Sequence, residues 1–294
     1  MNRPDLIVVG DVMADVSVAS GQLAGGGDVH GEVRIRPGGA GSNAAVWAAS
    51  AGARVMLYGR VGQDLIGRLL RSAIAARGVE ATLAIDPVAR TGAMLVVRQG
   101  GERSMVADRG ANARLVPEDL PKRLTGEAVL MSGYLLFDQG SEAAAIAALS
   151  RADAPFVAVD ASSWPLLEAY GRERFFDATR EATVLLANAK EAETLARLPA
   201  IEAARALAER YAVVCVKLEA EGAVLASHGH LLSAAADQVE PVDPTGAGDA
   251  FDGVLLAELA KSTDLEAALE AACSAGAQAA ASADPWPEEK GAPP

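Results

Sequence analysis

Short apolar runs alternate along this chain with stretches whose apolar positions recur every three or four residues, the two periods that separate buried strands from helices. Leu6 to Val9 is an unbroken apolar run ending in Gly10-Asp11, as in a strand buried on both faces. A helix is predicted from about Ala44 to Ala51, closed by Gly52, then a strand from Arg54 to Val61. Asp64 to Arg77 predicts an amphipathic helix ended by Gly78. From Ala128 the alternation is regular. Strands at Ala128–Ser132, Phe156–Val159 and Thr183–Leu186 precede helices at Ser141–Arg151, near Pro165–Tyr170 and at Ala189–Arg197. Ala212–Leu218 and Ala223–Ala226 are two more strands, and helices follow from Gly246 and over Asp264–Ser282. Such alternation predicts an α/β fold with a doubly wound, mostly parallel sheet flanked by helices.

Two stretches break the pattern. Residues 12–36 hold Gly21, Gly25-Gly26-Gly27 and Gly31 between short alternating pieces at Val16–Val18 and Val29–Ile35. Residues 91–106 have the same character, with Met94–Val97 extended, a Gly100-Gly101 turn and Ser104–Val106. They read as small β insertions that pair into one sheet covering a site. The expected organisation is one domain over 1–294, with a core of about 1–11, 37–90 and 107–294 and insertions of about 12–36 and 91–106. The tail from Asp284 holds four prolines and charged residues and is expected to be irregular.

Composition narrows the partners. A chain of 294 residues that is 51% hydrophobic builds a large core, and only 4% aromatics leaves its filling to Ala, Val and Leu. A net charge of −13 argues against nucleic acid and anionic membrane surfaces. Cys215 and Cys273 lie in apolar or Ala-rich runs and read as buried free thiols of a reducing cytoplasm. His228 and His230 flank Gly229 in a hairpin-like turn, and none of the three histidines has metal-ligand spacing with a cysteine. The N-terminal apolar run is too short for a signal-peptide core or a membrane span, so a cytoplasmic location is expected.

Candidate chemistry concentrates at Val242-Asp243-Pro244-Thr245-Gly246-Ala247-Gly248-Asp249-Ala250-Phe251. A proline ends the extended segment, two glycines permit a sharp turn, and the helix that follows offers bare amides and the positive end of its dipole to an anion. Asp249 falls in the first turn. It is either a dipole complement or a base that deprotonates a hydroxyl while the Gly246, Ala247 and Gly248 amides hold a phosphoryl group. No glycine follows Gly248 at the spacing a dinucleotide fingerprint needs, and no Gly-x-x-x-x-Gly-Lys-Ser/Thr sequence occurs. Asp11 stands at a strand end where ligands of open sheets gather, or else closes an Asx turn. Pro37-Gly38-Gly39-Ala40-Gly41-Ser42-Asn43 permits close approach to a ligand, and Asn43 offers a sugar both ends of its amide or caps a helix. Asn188 and Glu191 suit hydrated Mg²⁺ or a capping box equally well. Lys217 approaches a phosphate or is an exposed strand-end lysine.

The ten-residue string resembles the second signature of the ribokinase-like, PfkB-type carbohydrate kinases. Gly59-Arg60-Val61-Gly62-Gln63-Asp64 with Gly67 resembles the first, and the early Gly-Asp, Gly-Gly-x-x-x-Asn and Asn-x-x-Glu extend the likeness over nearly the whole chain. The resemblance implies a ribokinase-like fold with a β lid, transferring the γ-phosphoryl of ATP to a hydroxyl of a small sugar or sugar derivative. Asp249 would be the base, Asp11, Gly39 and Asn43 would grip the sugar, and Asn188 and Glu191 would hold Mg²⁺ through water. Asp243 and Thr245 fall where some relatives bind a monovalent cation such as K⁺. Relatives line the nucleotide with a Leu-Gly-x-x-Gly turn, whereas here Glu219 replaces the first glycine and Gly222 keeps the second. Cys273 falls by spacing where relatives face adenine with Asn or His. Ala40 replaces a lysine typical of ribokinases, so ribose is not assured. The arginines at 34, 36, 98, 103 and 109 contact an acidic or phosphorylated sugar or, for most of them, only solvent. A homodimer through the lid is expected as well. Rival readings are a nucleoside kinase on the same fold and a non-catalytic sugar-binding regulator.

Overall fold

The computed structural model describes residues 3–19, 26–99 and 102–288. Gly21, Gly25 and the expected Gly100-Gly101 turn lie outside them. Among the described residues the main sheet has nine strands: β1 (Leu6–Val9), β4 (Val55–Gly62), β5 (Glu80–Asp86), β8 (Ala128–Ser132), β9 (Phe156–Asp160), β10 (Val184–Asn188), β11 (Val213–Lys217), β12 (Ala223–Ser227) and β13 (His230–Ala234). Their order is β13-β12-β11-β10-β9-β8-β1-β4-β5, parallel except where β12 meets β11 and β13.

Alternate residues of one strand enter two different cores. Leu6 and Val8 join a core with α1 (Ala40–Ser50), α2 (Leu65–Ala76), α8 (Ala247–Lys261) and α9 (Leu265–Ala281). Ile7 and Val9 join the other, with α3 (Glu142–Ser150), α4 (Trp164–Tyr170), α5 (Arg172–Ala178), α6 (Ala189–Ala196) and α7 (Ala200–Leu207). A strand covered on both sides is apolar through its length, which is why β1 and the first four residues of β8 are unbroken apolar runs. The parallel strands end on one rim, which carries Asp11, Ser132, Asp160, Asn188 and Lys217. Among the described residues no helix is long and apolar enough to cross a membrane.

The two insertions form one four-stranded sheet, β3-β2-β6-β7, from β2 (Met13–Ala19), β3 (Glu32–Gly38), β6 (Gly92–Gln99) and β7 (Glu102–Asp108). Each insertion supplies an antiparallel pair, and a parallel β2–β6 pairing joins them. Register sorts its faces. Ile35, Val16, Leu95 and Val106 stand in one cross-strand row, with Ile35 and Val106 each 65% exposed. Asp15, Ser17, Arg36 and Val96 line the opposite face.

One boundary differs from the sequence expectation. α1 starts at Ala40, capped by Gly39 at φ 98°, so Asn43 lies inside its first turn and caps nothing. The tail from Asp284 is irregular, yet Trp286 is buried at 5% exposure.

Candidate functional site

The site is built where α8 begins, facing the rim of the main sheet. Gly246 takes φ 83°, a left-handed value that favours glycine, and α8 runs from the next residue. The turn that feeds it uses one expected donor, because Ala247 N–H donates to the Pro244 carbonyl at 3.2 Å. Among the described residues the amides of Gly246, Gly248 and Asp249 make no hydrogen bond, so of the three expected donors Ala247 is engaged and the Asp249 amide stands free in its place. Asp249 Oδ2 accepts from Asn43 Nδ2 at 2.8 Å. Burial pushes the Asp249 carboxyl up to about 6, the Asn43 hydrogen bond and Lys217 pull it down, and Asp160 and Asp11 push it up.

Asn43 is held at both ends of its amide, since Trp286 Nε1 donates to its Oδ1 at 3.0 Å. The sequence expectation that both ends serve a sugar is therefore corrected: one N–H remains. The glycines ahead of Asn43 serve backbone packing. A Cβ on Gly39 would lie 2.6 Å from the Asp11 carbonyl, and one on Gly41 would lie 2.6 Å from the Gly10 carbonyl carbon. The close approach they allow is that of α1 onto the chain leaving β1.

Asp11 is buried at 3% exposure, and Arg109 grips it in a two-pronged pair, Nη2 to Oδ1 at 2.8 Å and Nε to Oδ2 at 3.1 Å. Arg109 is thus not a solvent contact. Asp15, four residues on, has no hydrogen-bond or ion-pair partner among the described residues. Burial pushes its carboxyl up to about 7, with Asp249 and Asp243 adding to the rise.

Lys217 is largely buried and ion-paired, not an exposed strand-end lysine. Its ammonium lies 2.9 Å from both oxygens of Asp252 and 3.3 Å from Asp160 Oδ1, beneath the Gly248 backbone. Burial works against its charge, but Asp252, Asp160 and Glu191 outweigh that and hold the ammonium protonated. Burial pushes the Asp252 carboxyl upward. Two oxygens at 2.9 Å from one ammonium make the ion pair the state this geometry supports.

Asn188 and Glu191 form a reciprocal capping box. Asn188 Oδ1 accepts from the Glu191 amide at 2.9 Å, while Glu191 accepts from the Asn188 amide at 2.8 Å and from Nδ2 at 2.7 Å. Burial, then Asp160, push the Glu191 carboxyl up to about 7, against the pull of Lys217. Glu219 sits at φ 55°, so a non-glycine residue holds a left-handed turn position here at a cost of ~1 kcal/mol. Gly222 takes φ 99°, a Cβ there would lie 2.0 Å from the Ala234 carbonyl, and Cys273 Sγ meets that same carbonyl at 3.6 Å. Asp243 accepts from the Thr245 amide at 3.0 Å. Both line a cavity of about 20 Å³ with Asp15, Ser17, Arg36, Val96, Ala283 and Pro285.

The structure thus gathers Asp249, Asn43, Asp15, Asp11 and the α8 amides on one side, and Lys217, Asp252, Asp160 and Glu191 beside them. Gly222 and Cys273 meet over Ala234, at the end of β13. Asp15, Asp252 and Trp286 were not singled out from the sequence, and Arg109 was named only as one of five arginines near the insertions. Asp252, one helical turn after Asp249, was legible in spacing, whereas Trp286 had no local signal.

Residues 3–285 match the model of the pfkB family of carbohydrate kinases. The ribokinase of Bacillus subtilis (strain 168) is 29% identical over 290 residues, covering 93% of this chain and 94% of that one. The aminoimidazole riboside kinase of Salmonella typhimurium (strain LT2) is 29% identical over 260 residues, 83% of this chain and 80% of its own length. The crystal structure of fructokinase from Vibrio cholerae O395, with fructose, ADP and calcium bound, has a TM-score of 0.79 at 26% identity, covering 95% of this chain and 94% of that one. A double mutant of the same fructokinase holds fructose, ADP and potassium. With a family match over nearly its full length, this chain belongs to the pfkB family of carbohydrate kinases.

Proposed function

We propose that this chain transfers the γ-phosphoryl group of ATP to a hydroxyl of a small neutral sugar or sugar derivative, with Asp249 as the base. The observation that carries the reading is the placement of Asp249 in the first turn of α8, beside bare amides and held by Asn43. The acceptor oxygen attacks the γ phosphorus, its bond to phosphorus forms as the bond to the β-bridging oxygen breaks, and ADP leaves. The acceptor proton passes to Asp249, and the amides of Gly248 and Asp249 stabilise charge on the transferring group. Because Arg109 occupies Asp11, the grip on sugar hydroxyls falls chiefly to Asp15 and the remaining N–H of Asn43. The four-stranded sheet is assigned as a lid that excludes water from the reaction.

Kinases of this family use ATP and a divalent metal. The hard oxygens of Glu191 and Asn188 suit Mg²⁺, and their mutual hydrogen bonds favour contact through the ion's waters. When bound, the metal neutralises phosphate charge. Asp243 and Thr245 are assigned to a monovalent cation, supported by the small oxygen-lined cavity they share with Ala283. Gly222 and Cys273 are assigned to the nucleotide's base side, whereas Lys217 is assigned to the buried ion pair with Asp252 and Asp160 beneath Gly248. The outward apolar row of the small sheet, led by Ile35 and Val106, supports pairing of two copies lid to lid.

Purified protein with ATP and Mg²⁺, assayed for ADP release against pentoses, hexoses, sugar acids and nucleosides, tests the reading. Asp249→Asn is expected to lose ~10²–10⁴-fold in kcat. With the Asp249 carboxyl near 6, wild-type activity should fall as pH drops through about 6. Full turnover by the variant rejects the assignment.

A further inference from the structure

The segment after α9 makes more contacts with the site than its irregular sequence suggests. Trp47 Nε1 donates to the Pro285 carbonyl at 2.9 Å, and the Pro285 ring packs against the cap glycine Gly246. Arg77 stacks over the Trp286 ring at 5.5 Å and donates to the Pro287 carbonyl. Arg36 of the small sheet reaches back to Ala283 and Asp284. Between these anchors Trp286 is buried, with its indole nitrogen against Asn43.

An indole N–H only donates, so Trp286 decides which end of the Asn43 amide is oxygen. The other end, 2.8 Å from Asp249, must then be the NH₂ group. Flipped, the amide would set an oxygen against a carboxylate and leave the indole without an acceptor. We propose that Trp286 is a positioning residue for phosphoryl transfer, fixing the Asn43 amide so that its N–H group aims the Asp249 carboxylate. This rests on the reading of Asp249 as base.

The surroundings give that N–H weight. Asp249 faces Asp252 on its own helix, Asp11 and Asp15 from the chain after β1, Tyr134 beyond β8, and Asp160 at the end of β9. Glu191 and Asp243 complete the acidic surroundings through these groups, and the buried cations among them are Lys217 and, on Asp11, Arg109. Asn43 and Lys217 are the two groups that favour the ionised base. Loss of the indole donor frees the Asn43 amide to rotate and weakens one of them.

Trp286→Phe keeps a buried ring under Arg77 and deletes the N–H. With ATP and D-ribose or D-fructose, whichever wild type turns over faster, kcat is expected to fall ~10-fold. The acid limb of the pH profile should move upward and KM for ATP should stay within about twofold. On an Asn43→Ala background the same change should add nothing. Trp47→Phe loosens the segment without touching Asn43, and should lower Tm while leaving the acid limb in place. An unshifted limb in Trp286→Phe, or effects that multiply with Asn43→Ala, overturns the proposal. Should Trp286→Phe fail to fold, the indole ¹⁵N–¹H signal of Trp286 in the intact chain decides. It is expected to exchange slowly and to follow a titration that vanishes in Asp249→Asn, and fast exchange or no titration overturns the proposal. A wild-type chain that transfers to neither sugar nor any other acceptor overturns the base reading instead.

Discussion

Replacing Lys217 with methionine tests the buried charge cluster most directly. The ammonium is the only hydrogen-bond partner of both Asp252 oxygens among the described residues, and Asp252 is 2% exposed. Asp160 would keep Ser162 Oγ at 2.7 Å, so Asp252 is the group left orphaned. Removing one member of such a pair costs ~3–5 kcal/mol, a large share of the ~5–15 kcal/mol that holds a domain folded. The sign with pH follows from protonation. Without Lys217 the Asp252 carboxyl rises further, and a carboxyl raised in the folded state costs stability only above its unfolded value near ~4. The deficit should be full at neutral pH and shrink as pH falls toward ~4.5. Lys217→Met with Asp252→Leu removes both charges and should recover most of the loss. Urea unfolding of wild type, single and double variants at pH 7 and pH 4.5 measures all three. A single-variant loss below ~1 kcal/mol at pH 7, or one unchanged at pH 4.5, would refute the ion-pair argument.

Asp15→Asn should stabilise the chain by ~1–3 kcal/mol at pH 8 and by nothing at pH 4. Its carboxyl is pushed to about 7, so folding opposes its ionisation between its unfolded value and that pH, and melting at the two pH values checks the difference. Gly253→Ala should lower Tm although it improves helix propensity by ~1 kcal/mol, because a Cβ there would lie 2.2 Å from the Ala44 carbonyl and force α8 off α1 at a cost of ~1–3 kcal/mol.

The layered fold was legible because it rests on local periodicity. β1, β8 and β10 read as apolar runs, α2 as an amphipathic turn pattern, and the Asn188–Glu191 capping box as a spacing of three. What escaped were contacts between distant positions. Asp11 and Arg109 are 98 residues apart, Lys217 and Asp252 are 35, and Asn43 and Trp286 are 243. Spacing rules describe neighbours on one helix or strand, and these partners are brought together by crossover connections. Asn43 and Lys217 share one feature that spacing does not show: each was judged by what its head group could bind, and each has an internal partner from another layer. Glu219 shows the converse: its backbone keeps the left-handed turn, so loss of the glycine did not mean loss of the shape.

With Asp249 proposed as the base, this division of contacts separates the readiness of that base from the choice of acceptor. The two groups that favour an ionised Asp249 are each held from outside the reacting region, Asn43 by the Trp286 segment and Lys217 by Asp252 and Asp160. Changes at Trp286 or Asp252 should therefore move the pH dependence of transfer while leaving the ranking of acceptors alone. Asp15 belongs to the other half, because it sits on β2 facing the inner side of the small sheet with Ser17, Arg36 and Val96. Its unpaired carboxylate costs folding energy that an acceptor's hydroxyls would recover. On the proposed reading, substitutions at Ser17, Arg36 and Val96 around it should change the ranking of acceptors, which the acceptor panel measures.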